Sequence, residues 1–240
     1  MRGVREVTWR GSQAASRRRY LEKFDAAEVA AYDALVGRLS PDLRQAYLRD
    51  LAGVVELRAG MNVLDAGAGT GAMCTVLSGL QGIRITALEP APEMLAALRS
   101  KPELSRVATV QGFCDADSDG THFPPAHFDA IVSRQLVNGL YDPLAAFRNW
   151  CRWLKPDGVI VVIDGLYGRT DWTGAWADEV DCFPAAACQG TALIPYLLEL
   201  AGCQVESVGM MGAVNASPAT RTPRFLVVAR RRAIEPATTR

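Results

Sequence analysis

Residues 63–73 read VLDAGAGTGAM: an apolar run, the acid Asp65, then glycines at 67, 69 and 71. The pattern turns a strand sharply into a helix, because glycine takes positive φ without strain. The N–H groups opening that helix can cradle a ligand. Two ligand chemistries compete for the loop. Gly67-x-Gly69-x-x-Ala72 satisfies the fingerprint of a pyrophosphate-binding loop. Asp65 argues the other way, since a carboxylate beside this turn repels phosphate and attracts a cation. No Lys or Arg occurs between Asn62 and Gly82 to offset it. A second acid, Glu89, ends the next apolar run, where it can accept both hydroxyls of a ribose. That position suits either ligand.

These groups need a scaffold that gathers strand ends. Apolar spacing at three and four residues predicts one helix over residues 20–39 and a second over 41–54, with Ser40 as its N-cap. Strands are then predicted over 62–66, 83–89, 107–111, 128–133 and 159–164. Helices are predicted over 71–80, from Pro92, from Asp142 to Leu154, and over 191–201. The KPDG stretch at 155–158 reads as a turn in which glycine supplies positive φ. Strands near 205–210 and 225–230 share no intervening helix and read as an antiparallel pair at one edge. Strands without polar alternation, separated by helices, imply a sheet covered on both faces. The predicted fold is α/β: a Rossmann-like, doubly wound, mostly parallel seven-stranded sheet with an antiparallel edge strand and an N-terminal helical cap. The expected organisation is a flexible basic arm over 1–18 and a helical cap over 19–56. A ligand-binding domain follows over 57–232, with a lid insert at about 165–190, and then a flexible tail over 233–240.

Composition narrows the class. Apolar residues make up 49% of the 240, enough for a full core, and 26 basic residues balance 26 acidic ones. That balance gives no general pull toward nucleic acid or anionic lipid. Arginines cluster at 2, 5, 10, 17, 18 and 19 and again at 230–232. They are expected to be solvated ends, against the alternative of gripping a phosphate backbone. The six cysteines show no CxxC pair or zinc spacing, and with two histidines no metal site is expected. Reduced thiols, a cytoplasmic location and no membrane contact are the expectations.

Three blocks then carry a resemblance. VLDAGAGTG (63–71), ALEPAPEML (87–95) and residues 128–164, which include the LKPDG turn, occur in order and at matching spacing. On them the chain resembles the class I S-adenosylmethionine-dependent methyltransferases over about residues 60–165. The resemblance implies S-adenosyl-L-methionine as cofactor, whose α-amino group and sulfonium suit Asp65. Asp65 and the Gly67, Ala68, Gly69 loop would meet the methionine end, and Tyr32 of the N-terminal helices is expected to bind the cofactor as it closes the pocket. Glu89 would hold the ribose, with Pro90 and Met94 beside the adenine. Family members often read G-D-A after the third strand. Here Gly112-Phe113-Cys114-Asp115-Ala116 departs from that pattern, and Asp115 with Ala116 is expected at the adenine amine. Ser133, Arg134 and Gln135 end the fourth strand and are expected to face donor and acceptor, with an Arg134 pair to Asp164 or Asp142 as the structural alternative.

Methyl transfer is an in-line displacement that rests largely on alignment. A hydroxyl or acidic carbon also needs a base. His122 and Asp142 are the candidates, and neither stands out. The acceptor pocket is expected to be closed by Tyr20, Phe24, Asn138, Tyr167, Trp172 and Trp176, with Asp171, Asp178, Glu179 and Asp181 of the insert able to attract an amine. The base-methylating [DNS]-P-P-[YF] signature and a Pro-Cys nucleophile are both missing. The expected partner is a small-molecule methyl acceptor, in the manner of a specialised (natural-product) metabolite, with a homodimer left open. An RNA or protein methyltransferase using the arginine-rich ends, and a non-methylating relative that binds the same cofactor, are the alternatives.

Overall fold

Five near-continuous apolar runs become parallel strands in the computed structural model of the chain, which describes residues 8–173 and 175–232. They are β1 (Asn62–Ala66), β2 (Arg84–Glu89), β3 (Ala108–Gln111), β4 (Phe128–Arg134) and β5 (Leu154–Gly165). With β6 (Cys203–Met210) and β7 (Arg224–Arg231) they form one sheet in the order β3-β2-β1-β4-β5-β7-β6. β7 runs antiparallel to both of its neighbours and lies one place in from the edge. The doubly wound fold is therefore as expected, with β6 as the outer strand.

One face of the sheet packs on α3 (Pro41–Ala52) and α4 (Ala72–Leu77), where Leu43, Tyr47, Met73 and Leu77 meet Val63, Val132 and Val161. The other packs on α6 (Pro143–Trp153) and α8 (Leu193–Leu200), through Phe147, Trp150, Trp153 and Leu198 against Leu64, Ile131 and Val162. Trp150 and Trp153 are wholly buried, and truncating either to Ala removes about 3–5 kcal/mol. Pro92 opens α5 (Pro92–Arg99) at a position where its missing N–H costs nothing.

The N-terminal region differs from expectation. The single helix expected over 20–39 is broken at Phe24 and Asp25, because the Asp25 carboxylate accepts the amides of Ala27 and Glu28 at 2.9 Å and starts a new helix. The chain thus forms α1 (Trp9–Lys23), then α2 (Ala26–Tyr32), which runs on through a π-helical turn at Asp33–Gly37. The expected flexible arm is instead α1 over the described part. Thr8 caps it, and buried Gln13 donates to the Tyr141 carbonyl at 2.5 Å. Residues 1–7, with Arg2 and Arg5, and the expected tail over 233–240 lie outside the described residues.

Two smaller corrections follow. In the KPDG turn Asp157, not Gly158, takes the positive φ, at 61°. Gly158 is needed for space, since a Cβ there would stand 2.9 Å from the Lys155 carbonyl and from Leu154. The cysteines are not all free: Cys151 at the end of α6 is bonded to Cys203 at the start of β6, with Cα atoms 6.9 Å apart. Packing of α6 and β6 on one face brings these distant residues together. Among the described residues no helix is long and apolar enough to cross a membrane.

Candidate functional site

The carboxyl ends of β1, β2 and β4 form the candidate site. Asp65, Glu89 and Arg134 each lie two residues past a core residue of the α3–α4 face (Val63, Ala87, Val132), so strand alternation puts all three side chains on that face. After Asp65 the chain turns through Gly67, Gly69 and Gly71 at φ of 67°, 54° and 91°. Close approach enforces the glycines as well as backbone conformation. A Cβ at Gly71 would lie 2.6 Å from Leu104. At Gly69 the nearest neighbour of a Cβ would be the Tyr32 ring at 3.7 Å, so the Tyr32 ring lies against the loop.

Asp65 is buried and its Oδ2 accepts the Cys74 thiol at 3.0 Å, while its Oδ1 has no partner among the described residues. Burial pushes its carboxyl up to about 7, against the hydrogen bonds from Cys74. A buried carboxylate oxygen without a donor is costly, and a cationic amine is the group that would relieve it. Glu89 is also buried. It accepts the Ala91 and Gly69 amides at 3.0 Å and the Tyr20 hydroxyl at 3.4 Å. Burial pushes it, too, up to about 7. Glu89 thereby ties the glycine loop to the start of α5. The long bond from Tyr20 is the one that an incoming ribose hydroxyl can replace. The residues present fit the methionine and ribose ends of S-adenosyl-L-methionine.

Around this centre the structure gathers most of the expected residues. Ser133 is wholly buried, its Oγ without a partner among the described residues. Arg134 pairs with neither Asp164 nor Asp142. It donates to the Tyr47 hydroxyl at 3.0 Å and lies over that ring. Met94 joins Phe24, Val29 and Ala91 under Tyr20, Tyr32 and Trp176. Pro90 stands at the start of the same segment, its carbonyl bound by Gln111, and Ala68 is buried in the loop. Asn138 is buried, and its amide donates to Asp164 at 3.0 Å. The insert includes a short helix, α7 (Ala175–Glu179), and Trp172 and Trp176 pack with Tyr141 and Phe183. Trp176 also meets Tyr20 of α1 and Phe24 just after it, each at 6.1 Å, so cap and insert close over the strand ends together.

Other expected residues are engaged elsewhere. Asp115 does not face an adenine: it accepts the Tyr141 amide at 2.7 Å and pairs with Arg17 at 2.8 Å. Ala116 is likewise turned inward, its carbonyl bound by Asn149 and its amide by Asp119. His122 packs on Gly112 at the end of β3. With β2 and β1 between, that is three strand spacings, roughly 14 Å, from β4. Asp142 caps α6 through the Ala145 amide and pairs with Arg10 at 2.9 Å. Neither expected base is therefore at the centre. Three of the insert's acids are engaged as well: Asp171 by the Gly168 amide, Glu179 by Arg19 and Asp181 by Arg169. Sequence reasoning missed Cys74, Tyr47 and Arg224. Only Cys74 had a signal, its position one turn into the helix after the loop.

Residues 64–162, the span holding Asp65, the glycine loop, Glu89 and Arg134, match the family model described as a methyltransferase domain. Over that span the chain is similar to the class I S-adenosylmethionine-dependent methyltransferases. The chain is 29% identical over 138 residues to a ubiquinone/menaquinone biosynthesis C-methyltransferase of Shewanella frigidimarina, covering 57% of this chain and 55% of the relative. It is 31% identical over 111 residues to phosphoethanolamine N-methyltransferase 1 of Arabidopsis thaliana, covering 46% of this chain and 22% of that one. The chain thus spans about half the length of the first relative and less of the second. A solved S-adenosylmethionine-dependent methyltransferase from Aquifex aeolicus matches with a TM-score of 0.61 at 21% identity, over 86% of this chain and 98% of its own, and shows the fold.

Proposed function

We propose that this chain is an S-adenosylmethionine-dependent methyltransferase that acts on a small molecule. The observation that carries the donor is the buried, unpartnered Oδ1 of Asp65 beside a loop without basic residues. Asp65 binds the α-amino group, Glu89 the ribose hydroxyls, and Tyr32 covers the glycine loop. When bound, the donor supplies the methyl group as a sulfonium. The chain's contribution is to hold donor and acceptor in line and to exclude water, through α1 and the insert that meet over the site.

The size of the acceptor is read from the cap. Arg10, Arg17 and Arg19 are committed to Asp142, Asp115 and Glu179, and Arg230 and Arg232 pair with Glu206 and Glu199. These arginines are not arranged as a free phosphate-gripping surface, which disfavours an RNA acceptor. The aromatic closure by Tyr20, Phe24, Trp172 and Trp176 suits a small molecule, in the manner of a specialised metabolite handled in the cytoplasm. Calorimetry with S-adenosylhomocysteine tests the donor assignment. Wild-type protein binds it, and Glu89→Ala, which removes the ribose contact, weakens it at least tenfold, about 1.4 kcal/mol or more. Equal affinity of the two proteins would remove the donor from this site.

A further inference from the structure

On the far side of Arg134 from the glycine loop stands a second polar constellation that the donor does not use. Arg224 opens β7 opposite Gly165, the last residue of β5. It shares the α3–α4 face with Leu226 and Val228, and therefore with Arg134. Its Nη1 donates to the Tyr167 hydroxyl at 2.8 Å, and Gln135 Nε2 donates to the same oxygen at 2.5 Å. Gly165 makes this possible, because a Cβ there would run into both the Arg224 guanidinium and the Tyr167 ring. Gln135 is held with φ at 54°, a conformation that non-glycine residues rarely adopt and that clusters at functional sites. Its Oε1 is buried without a partner among the described residues. Trp172 flanks Tyr167 at 5.9 Å and supplies an apolar wall.

Charge accounting gives the ligand. Neither Arg134 nor Arg224 is in an ion pair among the described residues. The carboxylates within electrostatic reach are committed: Asp164, which feels Arg224, accepts the Gly165 and Asn138 amides, and Asp65, which feels Arg134, belongs to the donor end of the site. Tyr167 oxygen accepts two hydrogen bonds, so its own proton is left for a third group. What this side offers is a guanidinium, a phenolic proton and an amide. It offers an amine no carboxylate.

We infer that Arg224, Tyr167 and Gln135 form the acceptor subsite, and that the acceptor carries an anionic oxygen: a carboxylate, a phosphate or an ionised phenol. The assignment rests on the methyltransferase reading. Arg224 and the Tyr167 proton hold the oxyanion, and Gln135 Oε1 accepts an N–H or O–H of the same molecule. The arrangement rejects ammonium acceptors by placing two guanidinium groups on their face of the site.

Calorimetry on the full chain saturated with S-adenosylhomocysteine tests this, with benzoate and phenyl phosphate as anionic probes, benzamide as neutral and benzylamine as cationic. The anions bind about tenfold or more tighter than benzamide, as expected of charge-assisted bonds, and benzylamine binds more weakly still. Arg224→Gln removes that preference, Arg224→Lys keeps part of it, and Tyr167→Phe weakens the anions several-fold. All three leave S-adenosylhomocysteine affinity within about twofold, which also reports that they fold. Comparing benzoate with phenyl phosphate distinguishes a carboxylate from a phosphate acceptor. Benzylamine or benzamide matching the anions, no binding of either anion, or an undiminished preference in Arg224→Gln would each overturn the subsite. Loss of S-adenosylhomocysteine binding by the wild type would instead overturn the donor reading beneath it.

Discussion

Replacing Asp65 by Asn should move stability and donor binding in opposite directions. Burial raises the Asp65 carboxyl from 3.8 to about 7, so the folded chain without ligand holds its proton where the unfolded chain has lost it. The contribution of Asp65 to stability is therefore greatest below about pH 4 and declines as pH rises toward 7, where Asp65 ionises within the fold. At 1.36 kcal/mol per unit, the ionised carboxylate costs about 4 kcal/mol at pH 8 as an upper bound. Asn is itself a buried polar group, so a gain of about 2 kcal/mol is expected, roughly 4–8 °C in Tm for a chain of this size. The gain should vanish near pH 4, where the native side chain is also neutral. Donor affinity should fall by about 2–5 kcal/mol, because the carboxylate that meets the cation is gone. Scanning calorimetry without ligand at pH 4 and pH 8, with titration calorimetry at pH 8, measures both. An Asp65→Asn protein less stable than wild type at pH 8, or one that binds S-adenosylhomocysteine unchanged, would refute the reasoning.

Two further outcomes follow from contacts outside the donor's carboxylate. Gly71→Ala combines a φ of 91° with a Cβ 2.6 Å from Leu104 and 3.0 Å from Leu98, so it should lose about 2–4 kcal/mol in urea unfolding. Arg17→Ala leaves the Asp115 carboxylate, whose side chain is 1% exposed, without its guanidinium. The loss should be about 3 kcal/mol, with faster proteolytic cutting within α1 and a deficit that shrinks in acid as Asp115, already raised by burial, takes up its proton.

How far the sequence shows this molecule depends on what holds each part together. β1, β2, β4 and β5 were legible because most of their length is buried on both faces and is apolar without polar alternation. The glycine loop was legible because its conformation admits few other residues. α1 was not, since its buried face is polar: Gln13 and Ser16 reach Tyr141, and Arg17 reaches Asp115, all more than a hundred residues or nearly so away. Hydrophobic periodicity cannot register a helix docked by hydrogen bonds and ion pairs. Asp115 has the type expected of an adenine ligand, and only the fold reveals that two amides and a guanidinium occupy it. Gln135 gives no sign in its residue type of a left-handed backbone. The Tyr167–Arg224 bond joins the end of β5 to the start of β7, a partnership that exists only once the sheet is assembled.

The position of β7 bears on how the chain is made. β6 touches the sheet only through β7, which leaves the ribosome after every other described strand. Until residues 224–231 emerge, β5 has an unpaired edge, α8 and β6 have no sheet to complete, and Cys203 has no fixed place beside Cys151. The nascent chain can assemble the donor half, β1 to β5, early. It cannot place Arg224 until β7 has emerged, so a chain stopped before residue 224 would carry Asp65 and Glu89 on a folded half-sheet while Tyr167 and Gln135 still lacked their guanidinium.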